Sequence, residues 1–463
     1  MIVVWVILGG LVVAALITVA ALTMLPAVAR RMVKILLTHP MSDTLAELYL
    51  SVRSTPLMDF LYASLRSATG DIVIRPMGSA KPAHGFDDLA FTAAQLARRP
   101  ILLDKPVDLA TTLGGRVQKP LTFSMPIFIS GMAYGLALNK HARLALAEAS
   151  ARAQIPINSG QGPFLEEERA KAYRYILQFG RWVWNRDPEV LRRADMIEVQ
   201  VGQGAMPGNA VLASPTEVGP EIKALMHLGP TESPIIHADL FLKDPSEPTP
   251  LKDVVAFLRE TVPDVPVALK MGADDLIEEN IDVALDAKVD VLVIDGTEGA
   301  TGNAPITLSD HFGIPTLYAL IRARHHLEAR GAWNQVDLVV SGGLREPGDF
   351  LKAVALGAKA VGIGTIAMFA LAHQQITEAV PLYPPTDLVF YRAQPKLPLD
   401  VKLASQGLYN FLESCRKEMM VALRTVGVSD VHHLRRDDLC ALDPTIARVT
   451  GLHFAGDPRS PTE

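Results

Sequence analysis

Hydrophobic positions along the chain fall into three regimes. From Ile2 to Leu25 no charged residue occurs, and as a helix that run would span about 36 Å, enough to cross a bilayer with some tilt. Pro26 follows, then Arg30, Arg31 and Lys34; basic residues after the span place that end in the cytoplasm. No Lys or Arg precedes the run, and it is too long for a signal-peptide core, so an uncleaved anchor is expected over residues 1–34. Residues 35–120 mix short apolar segments with turn signals such as Met77-Gly78 and Lys81-Pro82, which predicts an irregular subdomain packed on the main body.

From about residue 121 the pattern changes to short apolar runs alternating with amphipathic stretches. The predicted strands are Ile127–Ser130, Ile155–Asn158, Met196–Val201, Ile235–Ala238, Val265–Met271, Val289–Asp295, Leu338–Ser341 and Ala360–Gly364. Between them lie the predicted helices His141–Ala153, Thr216–His227, Leu251–Val262, Ile277–Ala287, Thr316–Arg330 and Asp349–Leu356. Strands that alternate with helices are parallel, because parallel pairs need crossover connections. Eight of them over about 250 residues fit a closed (β/α)8 TIM barrel across 121–375, with a doubly wound open sheet as the alternative. Beyond it, 376–463 reads as a helical tail. A Pro-rich stretch precedes a helix over Val401–Val426, with Gly427 at its end and Ser429 as the next N-cap.

Composition adds exclusions. A hydrophobic content of 49% with 20% charged residues describes a well-cored protein, not a disordered one. The formal net charge of −6, without a Lys/Arg stripe, gives nucleic acid no purchase. The two cysteines, Cys415 and Cys440, are too few for a four-thiolate zinc or iron–sulfur site and read as structural thiols. No metal is expected.

In a barrel, chemistry sits at the C-terminal strand ends. Ser341-Gly342-Gly343 ends one predicted strand and Gly362-Ile363-Gly364-Thr365 the next. Glycines let backbone N–H groups approach a phosphate, a following helix N-terminus favours the anion, and barrels commonly bind phosphate after strands seven and eight. Lys270 interrupts an apolar strand and calls for an anionic ligand or a core carboxylate such as Glu198 or Asp295. Glu198 and Gln200 share one face of their strand by its two-residue period. Glycine-bracketed polar ends recur at Ser130-Gly131-Met132-Ala133, at Asn158-Ser159-Gly160 and at Thr301-Gly302, as a flat ring over the barrel mouth would require.

These runs, with Gln203-Gly204-Ala205-Met206-Pro207-Gly208, resemble the FMN-binding synthase domain of glutamate synthase over about residues 120–370. The resemblance implies FMN, with its phosphate on Ser341–Gly343 and Gly362–Thr365. It puts Met132 and Ala133 along the flavin ring, Lys270 at the N1–O2 edge, and Ser130, Gly131, Ser159, Gln200, Thr301 and Gly302 around it. It implies reduction of 2-iminoglutarate, formed from 2-oxoglutarate and ammonia, with Gln203 bordering the substrate and Glu198 handling protons. Two lysines usual in the family are replaced by Gln200 and Met206, and the cysteine-rich iron–sulfur motif expected after Met368 reads Phe369-Ala370-Leu371-Ala372-His373-Gln374. With no amidotransferase segment before the barrel, ammonia is expected free or from a partner, and electrons from an external donor. Two alternatives stand beside glutamate synthesis: an FMN oxidoreductase with another substrate at the membrane, and a non-enzymatic flavin-binding membrane protein.

Overall fold

The computed structural model describes residues 2–39, 53, 56–75, 78–81, 83–204, 206, 208, 211–212, 218–299, 304–379, 386–391 and 398–459, without the side chains of 2–17, 21, 211–212, 377–379 and 386–387. The chain divides into two units, Met1–Val73 and Ile74–Glu463.

In the first unit, helix α1 runs Ile2–Thr38 and continues through Pro26. Among the described residues no helix is long and apolar enough to cross a membrane; most of the expected anchor, Ile2–Leu25, has side chains outside that set. Helix α2, Leu57–Thr69, ends at Gly70 with φ 68°, a left-handed cap.

In the second unit the barrel closes from eight parallel strands. They are β1 (Ile127–Ile129), β2 (Pro156–Asn158), β3 (Arg174–Gly180), β4 (Met196–Gln200), β5 (Val267–Gly272), β6 (Val291–Asp295), β7 (Asp337–Ser341) and β8 (Ala360–Ile363). Strand β8 pairs back onto β1 through Val361–Ile127 and Ile363–Ile129. Seven of the eight predicted strands take part. Ile235–Ala238 does not: only Ile235–Ile236 is extended, paired antiparallel with Val211–Leu212 outside the barrel. The missing stave is supplied by Arg174–Gly180, buried along its length after Arg174. Glu198 and Gln200 therefore stand on the fourth strand.

The longer helices around the barrel are α3 (Lys140–Ala153), α4 (Leu251–Thr261), α5 (Ile277–Asp286), α6 (Thr316–Ala329), α7 (Pro347–Ala355) and α8 (Thr365–Ala379). The predicted helix Thr216–His227 shortens to Pro220–Leu225 among the described residues. Helix α9, Val401–Val426, packs on α3 and α8 and ends at Gly427 with φ 91°. The next N-cap is Asp430, whose carboxylate accepts from the His432 N–H, and not Ser429. Cys415 and Cys440 are free thiols.

A floor closes the bottom of the barrel. The hairpin Thr111–Leu113 and Leu121–Phe123 contributes Leu113, Leu121 and Phe123 to a cluster with Phe128, Ile176, Met196, Ala268, Val291, Val293, Val339 and Ala360. These strand residues point inward, so by the two-residue period the next inward positions are Ser130, Gln178, Glu198, Lys270, Asp295, Ser341 and Gly362. The lumen changes from apolar to polar in one step along the strands.

Candidate functional site: the polar mouth of the barrel

Parallel register sets the neighbours. Gln178 lies beside Glu198, Gln200 beside Lys270, and Asp295 beside Ser341, which is beside Gly362. Glu198, fully buried, accepts at Oε1 from Asn158 Nδ2 (2.8 Å) and Gln178 Nε2 (2.7 Å). Its Oε2 has no partner, and neither have Gln178 Oε1 and Gln200 Oε1. Buried polar atoms are almost always satisfied, so three unmet acceptors at one end of a barrel are a ligand's signature.

Lys270 Nζ sits 3.5 Å from Asp295 Oδ2, both side chains buried. Burial works against its charge, but the attraction of Asp295 and then Glu198 outweighs it and holds the ammonium above its ordinary pKa. Asp295 also accepts from Ser341 Oγ (2.6 Å) and from the Gly204 N–H (3.0 Å), which ties the loop after β4 to strands β5, β6 and β7. The expectation that a core carboxylate partners Lys270 therefore holds for Asp295.

The loop after β1 is clamped from behind. Gly160, at φ 67°, is packed so closely that a Cβ would lie 2.6 Å from the Ala133 nitrogen and 2.7 Å from that of Met132. Arg143 of α3 donates to Met132 O (2.7 Å), to Asn158 O (2.8 Å) and to both oxygens of buried Glu168. Ser159 is committed locally, donating to Gly160 O and accepting from the Gln178 N–H. Gln203 forms a turn with Met206, whose N–H donates to its carbonyl at 3.1 Å.

At the other rim, Gly342 (φ 110°) and Gly343 (φ 74°) adopt the left-handed backbone that favours glycine. A Cβ on Gly342 would meet Thr316 Oγ1 at 2.6 Å, whereas one on Gly364 would meet nothing within 4 Å. Gly364 thus leaves open space where α8 begins at Thr365. Glu298 caps α6 by accepting from Thr316 N and Oγ1 at 2.9 and 2.8 Å; burial pushes its carboxyl up despite those bonds. Thr301 and Gly302 lie outside the described residues.

The expected residues of β1, β2, β4, β5, β7 and β8 thus converge on one mouth, with Gln200 next to Lys270. Sequence reasoning missed Gln178, because its strand was not recognised, and Arg143 with Glu168, which touch the site only through backbone carbonyls. The signal for Gln178 was a single polar residue in the otherwise apolar run Tyr175–Phe179, ahead of Gly180.

Such a barrel, with left-handed glycines after β7, open space at the α8 N-terminus and unmet acceptors over a buried lysine, is a ligand-binding (β/α)8 barrel of the phosphate-holding kind. Residues 89–429 match the conserved region in glutamate synthase, and the chain belongs to the glutamate synthase family. It is similar to a glutamate synthase large subunit-like protein of Rhizobium meliloti, 30% identical over 87% of this chain and 95% of that one. It is also similar to the archaeal glutamate synthase [NADPH] of Methanocaldococcus jannaschii, at 28% over 89% and 88%. Among solved structures, a double mutant of flavocytochrome b2 with sulfite bound superposes with TM-score 0.51 at 17% identity, covering 84% of this chain and 88% of the other, and shares the fold. FMN is the cofactor that accords with this family, and the residues fit it: an anion cradle at Gly364, a cation at Lys270 and acceptors for a ring N–H.

Proposed function

We propose that the chain is an FMN-dependent oxidoreductase acting at a carbon–nitrogen bond, with the glutamate synthase reaction, reduction of 2-iminoglutarate formed from 2-oxoglutarate and ammonia, as its first candidate. The observation that carries this reading is the polar layer over an apolar floor, with Lys270 and three unmet acceptor oxygens together. When bound, FMN supplies the two-electron hydride chemistry. Lys270 would offer the bound group a fixed positive charge. Backbone N–H groups of Gly342, Gly343, Gly364 and Thr365 would hold the phosphate, while Ser130, Gly131, Met132 and Ala133 would support the ring. Glu198, with Oε1 fixed by Asn158 and Gln178, keeps Oε2 for proton handling at the substrate. Gln203 borders the substrate. An external donor supplies the electrons, and ammonia arrives free or from a partner.

A second reading, the same chemistry on another substrate, is favoured by Gln200 and Met206, the two positions where the family usually carries lysine. For localisation, the charge-free run Ile2–Leu25 supports a single-pass anchor with the barrel in the cytoplasm. The full chain should sediment with membranes and a variant lacking residues 1–34 should not; equal partitioning of both would remove the anchor.

The test of the function is a spectrum of the full chain in detergent, with the released cofactor identified. FMN near one per chain, reoxidised after reduction by 2-oxoglutarate plus ammonia, is the expected outcome. A colourless chain that takes up no added FMN would sink the proposal.

A further inference from the structure

A segment ahead of the barrel is stitched to the loop after β6. Ile74 and Arg75 pair antiparallel with Pro305 and Ala304. The Ser79 N–H donates to Thr297 O at 3.2 Å. A Cβ on Gly78 would run into the Glu298 carbonyl, so the two backbones touch. The loop is therefore held at both ends: at Thr297–Glu298, where it leaves the barrel, and at Ala304–Pro305, where it enters the short helix Ile306–His311. Asp310 on that helix ties the contact. Its Oδ2 accepts from Arg75 Nη1 (3.1 Å), and its Oδ1 from Arg75 Nη2 (2.5 Å), the Ala80 N–H (3.1 Å) and Ser79 Oγ (3.3 Å). Arg75 also donates to Gly78 O at 3.1 Å, which folds the segment back on itself.

The side chains of Arg75 and Asp310 are only 17% and 10% exposed. A two-pronged guanidinium–carboxylate pair is stronger than a single contact, and one so little exposed is weakly screened by salt. Burial works against the Asp310 charge, but the bonds from Arg75 and the Ala80 N–H outweigh it and hold the carboxyl below its usual range. Glu298 carries the contact inward. Its carbonyl meets Gly78, its Cβ lies where a Cβ on Gly343 would approach to 2.7 Å, and its carboxylate caps α6 through Thr316. One residue thus joins the outer segment to the left-handed glycine of the rim. The segment lies outside the matched region, which begins at residue 89, and follows directly in sequence on the unit Met1–Val73.

We propose that Ile74–Lys81 is a latch for the loop after β6, and that Arg75 and Asp310 are positioning residues for the ligand at the barrel mouth, acting through Glu298 on Gly343. The inference rests on the FMN reading for the identity of that ligand and for its phosphate at Gly342 and Gly343. The rim is complete only while the segment is seated. Unseating it removes Gly78 from behind Glu298, and with it the surface against which Glu298 holds Gly343.

The test compares the full chain with Asp310→Ala, Arg75→Gln and the double variant by two readings. Hydrogen exchange, followed by mass spectrometry on protein stripped of flavin, reports whether the loop is held. Peptides spanning residues 296–306 should exchange at least tenfold faster in each single variant, with those of β2 and β3 unchanged. Fluorescence titration with FMN reports whether the ligand depends on the latch. Its dissociation constant should rise at least tenfold, and the double variant should bind no more weakly than the weaker single one, because the two residues form one contact. Arg259→Gln, which breaks the 3.1 Å pair with Asp290 at the opposite end of β6, should move neither reading and so separates the latch from a general loss of stability. Unchanged exchange in Asp310→Ala would overturn the latch, and faster exchange with an unchanged dissociation constant would overturn the positioning role. Failure of the unaltered chain to bind FMN would sink the FMN reading alone, since exchange is measured without flavin. Inorganic phosphate read by calorimetry would then replace FMN with the same tenfold expectation, and a chain that binds neither would overturn the proposal as well.

Discussion

Arg143 and Glu168 give the sharpest test of how the site is held. Both side chains are buried, at 0% and 2% exposure, and Arg143 also bonds the carbonyls of Met132 and Asn158. Arg143→Met leaves a buried carboxylate without its partner, which costs about 3–5 kcal/mol. Each freed carbonyl adds about 1–3 kcal/mol where water does not reach it. Against a total stability of about 5–15 kcal/mol, the variant should sit near its folding threshold. The sign of the pH effect follows from Glu168. Burial raises its pKa, and the attraction and hydrogen bonds of Arg143 oppose the rise. A carboxyl with a raised folded pKa contributes stability that is present below its unfolded value and lost as pH rises through the folded one. Removing Arg143 removes both opposing influences, so the deficit should be smallest in mild acid and largest at alkaline pH. Arg143→Met with Glu168→Leu should recover the carboxylate's share and flatten the pH dependence, yet leave the two carbonyls unmet and FMN more weakly held. The assay is urea unfolding from pH 5.5 to 8.5 with FMN fluorescence as a second signal. A single-variant loss below about 1 kcal/mol, or a double variant no more stable than the single, would refute this account of the buried pair.

Two further outcomes follow from particular contacts. Gly342→Ala places a Cβ at φ 110° against Thr316 Oγ1; it should cost about 1–3 kcal/mol and raise the FMN dissociation constant, read by thermal melting and by fluorescence titration of stripped protein. Burial, and next the charge of Lys359, pushes the His432 imidazole down to about 4. Its contribution is therefore present above the ordinary histidine pKa and fades as pH falls towards 4, by about 1–2 kcal/mol after allowance for its partial exposure. Urea midpoints between pH 7 and 4.5 should fall less steeply in His432→Gln than in the wild type; parallel curves would show that the imidazole is not responsible.

Much of the barrel was legible because its strands are buried on both faces and read as apolar runs between helices of regular period. Helix α9 was placed to the residue, since Gly427 supplies a left-handed stop. Recognition failed where length and local context competed. Arg174–Gly180 begins with a charge and carries Gln178, so it does not look apolar. Ile235–Ala238 does, but its two extended residues pair with Val211–Leu212. The role of Asp295 as common partner of Lys270, Ser341 and Gly204 was only partly legible, since it depends on three strands meeting in register. Arg143 was silent because nothing in a helix sequence says which backbone carbonyls its side chain will reach.

Register explains why the site is where it is. On β1, β3, β4, β5, β6 and β7 an inward apolar residue is followed two positions later by an inward polar one: Phe128 and Ser130, Ile176 and Gln178, Met196 and Glu198, Ala268 and Lys270, Val293 and Asp295, Val339 and Ser341. A slip of one residue in any strand would move its polar group to the helix-facing side, where it would meet apolar packing and no partner. The polar layer therefore fixes the stagger of the strands as much as it serves a ligand. The same step separates the two rivals for the third stave, because Ile176 leads to Gln178 whereas Ile236 leads to Ala238. Within the layer Lys270 is matched by Asp295, and Glu198 keeps one oxygen without a partner.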